Sequence, residues 1–395
     1  MKRIAVTLGL TLALLILVVL VGPALVPWNE FRSRVADGLA GLTGRQVVID
    51  GDLNLTLLPV PTLTAGNVRL LDDGEVLANV ARVSMRVRPW PLLQGQVHIE
   101  QLALDEAEMR AILPAEGDAR WPIALSALGG AVQVEGVTLR TGSLALERPG
   151  GDVIRLAGLS GELAAGGPDG PFELNATGAL DGAPARLALT AARRSANRAM
   201  PVRAVLALTD AKAELRFTGT LPPGGGDTRL EGDIALLAPD AGPVLRLVQH
   251  LADLEPPGSD GTATGTKAPA LSLRGRLSLS KQTAGMDGIE LQWGDSRATG
   301  SVELPRGPQG EGSVVLAFTA LDLDGLSADL PALNPWLTRA GLSLDLLADQ
   351  GRWRGDILRD LRLVGRLGGG VLGDAELAAT LPGGTAVTLK GAVDF

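Results

Sequence analysis

The sequence predicts a mostly β, largely antiparallel chain behind a single membrane-spanning helix. Three observations lead there. An apolar run, Ile4 to Val26, follows Met1-Lys2-Arg3. From about residue 45 onward the hydrophobic period is two rather than 3.6. The 395 residues include 52 Gly and 25 Pro but only 3% aromatics and no Tyr, a composition of small and branched aliphatics suited to strands and turns.

The apolar run comes first. About 20 helical residues cross the ~30 Å hydrocarbon core of a bilayer, and within Ile4–Val21 the polar side chains are Thr7 and Thr11. Lys2 and Arg3 place the N-terminus on the cytoplasmic side and the body across the membrane. A cleaved signal peptide is the competing reading; the run continues through Gly22-Pro23-Ala24-Leu25-Val26 without an A-x-A site, which favours an uncleaved anchor over residues 1–27. Next, Phe31, Val35, Leu39 and Leu42 fall on one helical face, and Gly44 is positioned to stop that helix.

Strands follow by alternation. Leu53, Leu55 and Leu57 alternate with Asn54 and Thr56; Val83, Met85 and Val87 alternate with Arg82, Ser84, Arg86 and Arg88; Leu271, Leu273, Leu277 and Leu279 alternate with Ser and Arg. Turn clusters separate them: Asp72-Asp73-Gly74, Pro149–Asp152, Pro222–Gly226 and Pro382-Gly383-Gly384. Glycine repeatedly occupies a dry-face position between apolar residues, as at Gly178, Gly219, Gly232, Gly275, Gly300, Gly365 and Gly391. Glycine weakens a strand, so its repetition implies a bend or a place where bulk must be absent. Helical spacing returns over Val244–Leu254 behind Asp240, and a short helix is expected within 330–340. The Pro-, Gly-, Ser- and Thr-rich segment 255–270 reads as a flexible linker between a β-rich region at 28–254 and a second at 271–395.

Composition excludes several function classes. A net charge of −8 offers no basic surplus for nucleic acid. With no Cys, disulfides and thiolate chemistry are absent. The two histidines, His98 and His250, are too far apart in sequence to suggest a metal site, and no G-x-S-x-G elbow or phosphate loop is present. The acid clusters Asp50/Asp52, Asp105/Glu106/Glu108 and Asp322/Asp324 read as wet strand faces rather than paired catalytic carboxylates. No enzyme activity, metal or cofactor is expected.

Alternation alone leaves two architectures open: a closed sandwich whose dry faces pack together, and an open sheet with a bare apolar face. The N-terminal residues bear on that choice. Phe31, Leu42-Thr43-Gly44-Arg45-Gln46-Val47, Ile49-Asp50-Gly51-Asp52-Leu53-Asn54-Leu55, Leu58-Pro59-Val60-Pro61, Leu63 and Gly66-Asn67-Val68-Arg69-Leu70 resemble the AsmA family of bacterial envelope proteins. Leu321-Asp322-Leu323-Asp324, Gly341–Leu346 and Leu361-Arg362-Leu363 are similar in the same sense.

The resemblance implies an inner-membrane anchor, a periplasmic body and a part in outer-membrane biogenesis. It also implies a long, curved, groove-like sheet with a few short helices that carries phospholipid acyl chains, with the inner membrane, phospholipid and an outer-membrane or periplasmic protein as partners. The groove would be lined by Leu53, Leu55, Leu57, Val83, Met85, Val87, Leu273, Gly275, Leu277, Leu363, Gly365 and Leu367, with Arg82, Arg86 and Arg88 as head-group candidates. A scaffold that binds outer-membrane assembly machinery without lipid is the alternative. Members often run longer than this chain, so a short member and a fragment both stay open.

Overall fold

The computed structural model describes residues 27–57, 60–92, 97–112, 120, 132–147, 153–167, 169–180, 182–195, 197–222, 230–251, 268–280, 282–305, 311–325, 341–368 and 371–394. The predicted anchor, except Pro27, lies outside them, as do most of the 255–270 segment and the helix expected at 330–340. Among the described residues no helix is long and apolar enough to cross a membrane. The chain divides into two compact units, residues 1–193 and 194–395.

The first unit opens with a 3-10 turn, Trp28–Phe31, that runs into helix α1, Arg32–Thr43. Gly44 closes α1 in the left-handed conformation (φ 68°), and its N–H reaches the Ala40 carbonyl, a C-cap that costs a Cβ-bearing residue more than glycine.

The strands are β1 (Gln46–Ile49), β2 (Leu53–Thr56), β3 (Thr62–Asp72), β4 (Glu75–Val87), β5 (Val97–Ile112), β6 (Val132–Val134), β7 (Gly136–Glu147), β8 (Val153–Ala165), β9 (Phe172–Leu180) and β10 (Ala183–Ala191). A one-turn helix α2, Pro89–Leu92, follows β4. β1 and β2 are two halves of one strand: both pair with β3, and the chain breaks between them at Asp50-Gly51-Asp52. β3-β4-β5 continue antiparallel, β5 pairs in parallel with β6 and β7, and β7-β8-β9-β10 are antiparallel again. The β3–β4 hairpin turns on Asp73-Gly74, both with positive φ, as the Asp-Gly pair predicts.

The second unit comprises β11 (Met200–Leu208), β12 (Ala213–Leu221), β13 (Leu230–Ala238), β14 (Leu271–Leu279), β15 (Thr283–Trp293), β16 (Ser296–Pro305), β17 (Gly312–Asp322), β18 (Leu342–Trp353), β19 (Asp356–Gly368), β20 (Val371–Thr380) and β21 (Ala386–Asp394). Each pairs with the next, all antiparallel except the parallel pair β17–β18. Helix α3, Gly242–Leu251, falls where helical spacing returns, and the Asp240 carboxylate accepts the Gly242 N–H at its start. The predicted boundary at 255–270 falls inside this unit, where β13 and β14 pair in register from Leu230↔Leu279 to Ala238↔Leu271.

The sheet is thus mostly antiparallel, as alternation predicts, with one parallel joint in each unit. A parallel joint needs a crossover in place of a tight turn. The two strands on either side of each joint are separated in sequence by 113–131 and by 323–341.

Candidate functional site: a continuous aliphatic face

Because side chains alternate across a strand, register decides whether the dry positions of neighbouring strands meet. In the first unit they do. One row runs Leu55–Leu63–Met85–Leu102–Val137–Leu163–Leu174–Leu189, each a direct cross-strand partner of the next. A second runs Leu53–Ala65–Val83–Leu104–Leu139–Gly161–Ala176–Leu187.

The second unit repeats the device. Leu206, Leu215, Leu236, Leu273, Leu291, Ala298, Phe318, Ala348 and Leu361 form one row from β11 to β19. Val202, Gly219, Gly232, Leu277, Met286, Val302, Val314, Leu344 and Gly365 form another. No charged side chain interrupts any of these rows.

The predicted lining residues fall on these rows or beside them. Leu53, Leu55, Val83 and Met85 lie on the rows of the first unit. Leu57 follows β2 and is half-buried, and Val87 pairs with Ile99 past a register shift. Leu273, Leu277 and Gly365 lie on the rows of the second unit; Gly275 sits opposite Ile234, and Leu363 and Leu367 sit opposite Leu346 and Leu342.

Their surroundings differ sharply. α1 lies over the start of the first unit, where Trp28, Val35, Ala36, Leu39 and Ala40 pack on Val47, Ile49, Leu53 and Ala65. Leu39 also reaches the cluster of Val80, Val83, Met85, Ile99, Leu104 and Ala107, whose outermost partners are Val137 and Leu139 in β7. Leu53, Val83 and Met85 are therefore core residues, exposed by 2%, 8% and 6%. Leu163, Leu174, Ala176, Leu187 and Leu189, further along the same rows, are half-buried. So are Leu273, Leu277 and Leu363, whereas Leu367 is buried with Leu372 and Ala375.

Local chemistry holds α1 in place. Asn29 Oδ1 accepts the N–H of Leu53 at 3.0 Å, and Arg32 reaches Asp52 at 3.2 Å. Arg45, past the helix, meets Asp72 at 3.7 Å. The Asp-Gly-Asp break has a steric reason: Gly51 donates to the Gly66 carbonyl at 2.9 Å, and a Cβ on Gly51 would stand 2.5 Å from the Gly66 carbonyl carbon. Asp50 then pairs with Arg69 at 2.7 Å, and that hydrogen bond raises the pKa of the Arg69 guanidinium.

Four of the dry-face glycines, Gly219, Gly232, Gly275 and Gly365, do not leave free space. The Phe217 ring lies over the facing pair Gly219 and Gly232, so that a Cβ on either would stand 2.5 Å or 2.8 Å from it. Met286 lies over Gly275, and Leu372 over Gly365, in the same manner. The chain's own large side chains recline into the gaps, which corrects the expectation that these glycines add room.

The opposite face is polar. Arg82 and Arg86 are exposed on it, and Arg88 is held by Glu135 at 2.8 Å. Glu135 also meets His98 Nε2 at 2.9 Å, so His98 belongs to a clamp on the parallel joint. Asp105 pairs with Arg140, Asp345 with Arg362 and Glu376 with Lys390. Arg352 reaches Asp322 at 3.0 Å and Asp295 at 3.4 Å; its hydrogen bond lowers the pKa of Asp322, and the Arg352 pKa rises in turn. The backbone N–H of Arg354 meets the Asp324 carboxylate at 2.9 Å. Of the acidic clusters, Asp50, Asp52, Asp105 and Asp322 thus stand in ion pairs, and Asp324 accepts a backbone N–H. Among the described residues no group of three His, Asp or Glu is placed to hold a metal.

Sequence reasoning identified α1 as a helix but not what it covers, and it missed Asn29 and Glu135 altogether. Their partners are 24 and 37 residues away, so no local spacing marks them.

Residues 1–129 match the model of the AsmA family, the family that the N-terminal residues resemble. No curated protein and no solved structure matches the chain.

Proposed function

We propose that this chain is a membrane-anchored protein of the bacterial envelope that shelters phospholipid acyl chains on the aliphatic face of its sheet, in support of outer-membrane biogenesis. The reading rests on the unbroken apolar rows, which are half-buried over β8–β10 and along most of the second unit. Each methylene moved from water to an apolar surface gains about 0.8 kcal/mol, so a face without charged interruptions lowers the cost of holding a tail outside a bilayer at every step. Transfer of this kind needs no bond making, and the chain acts as a binding surface rather than an enzyme. The family match over residues 1–129 supports the envelope setting. In this reading residues 1–27 anchor the chain in the inner membrane and the body lies in the periplasm.

The test is a photo-crosslinking amino acid at Leu277 and Leu344 on the aliphatic face and at Arg276 and Asp345 on the polar face, in the full chain in cells. Phospholipid adducts are expected at Leu277 and Leu344 alone. Protein adducts without lipid at these positions would overturn the reading.

One observation favours a scaffold as second reading. Val315 and Leu347, diagonal neighbours across β17 and β18, are 44% and 42% exposed on the polar face of the second unit, and adjoining exposed aliphatics there suit a protein contact. Val315→Ser with Leu347→Ser would then abolish complementation while lipid adducts at Leu277 persist.

A further inference from the structure

We infer that lipid tails board the first unit beyond α1, on the aliphatic face of β8–β10, and that the part of the face under α1 is closed to them. The inference rests on the lipid-sheltering reading and adds where the path begins. Along the rows Leu55–Leu189 and Leu53–Leu187 the chemistry stays constant, but the surroundings change at β7. Up to that strand Leu53, Ala65, Val83, Met85 and Leu104 are buried, the first two under Val35, Ala36, Leu39 and Ala40 of α1, while Leu55, Leu63 and Leu102 on the outer row are half-buried. Past it Leu163, Leu174, Ala176, Leu187 and Leu189 are all half-buried.

Two facts point to acyl chains as the occupant. The rows over β8–β10 carry no charged side chain, so what covers them is apolar along its length. The apolar run Ile4–Val26 ends at Pro27, and the turn and helix that follow pack on β1–β3. β8 stands four strand spacings from β3, roughly 20 Å at about 4.8 Å per spacing. The half-buried stretch therefore begins close to where the chain leaves its most membrane-like segment, and the hydrocarbon of a bilayer is the nearest matching phase.

The experiment places the crosslinker at Leu174 and Leu187, at Leu53 beneath α1, and at Leu277 as reference, in the full chain in cells. Phospholipid adducts are expected at Leu174, Leu187 and Leu277 and not at Leu53. Lipid adducts at Leu53 as strong as those at Leu174 would overturn the closure by α1. Adducts at Leu277 with none at Leu174 or Leu187 would sink the boarding site and leave the general reading standing, whereas none at any position sinks both. Protein or self-adducts alone at Leu174 would name a different occupant and likewise overturn the inference. A second measurement guards against a crosslinker that disturbs folding: Leu174→Asp should lower co-purified phospholipid several-fold, because a carboxylate in the face opposes a hydrocarbon chain, while Thr177→Asp on the polar face should leave it unchanged.

Discussion

The two ends of the described chain use one strand pattern to opposite effect. At the start of the first unit, Leu53 lies under α1 and is 2% exposed; in the last strand of the second, Leu389 occupies an equivalent dry position and is 60% exposed. Each stands between two polar residues, Asp52 and Asn54 in one case and Thr388 and Lys390 in the other, and both have aliphatic cross-strand partners, Ala65 and Leu377. What separates them is whether a further element reaches the face. Alternation guarantees a dry side but says nothing of what keeps it dry.

The largest effect that tests this contrast is truncation. Leu53→Ala should destabilise the fold by about 3 kcal/mol, the cost of a cavity in packed surroundings, while Leu389→Ala should change it by less than about 0.5 kcal/mol. Urea unfolding of both variants measures the difference, and equal losses would mean that α1 does not seal the face. Glycine replacement sharpens the comparison. Gly51→Ala drives a Cβ into the Gly66 backbone and should cost roughly 2 kcal/mol, whereas a Cβ on Gly391 meets nothing within 4 Å, so that Gly391→Ala should be neutral in the same assay.

The smallest effect concerns the wet side. The hydrogen bond from Arg352 depresses the pKa of Asp322 below its usual 3.8. The ionised form is thus favoured by folding. Its contribution is fully present above the usual value and is lost as pH falls through the lower folded value. Wild type should exceed Asp322→Asn slightly in unfolding midpoint near pH 6, and the gap should close in strong acid; solvent screening around the exposed Arg352 keeps the effect small. A gap that widens in acid would remove the assignment.

Much of the fold was legible because it depends on neighbours in sequence. The Asp73-Gly74 hairpin, the Gly44 stop and the helix behind Asp240 each follow from turn or cap chemistry within a few residues. The parallel joints were not legible, since β5 meets β7 and β17 meets β18 across segments whose sequence carries no register. The glycines were misjudged for a related reason. Gly275 and Gly365 mark missing bulk, but that Met286 and Leu372 fill it depends on a partner strand and its offset.

The AsmA-like motif shows the same division. Ile49-Asp50-Gly51-Asp52-Leu53 can be recognised as a string. Its physical sense, a strand break that lets two glycine backbones approach while Asp50 and Asp52 hold Arg69 and Arg32, exists only once β3 and α1 are in place.

By itself the sequence determined that this chain makes two-faced strands with tight turns, because side-chain direction and turn chemistry are local properties of the backbone. Only the tertiary structure decided that the dry positions join into continuous rows and that α1 fills one stretch and leaves another half-open. Register and coverage are set by contacts between residues far apart in the chain.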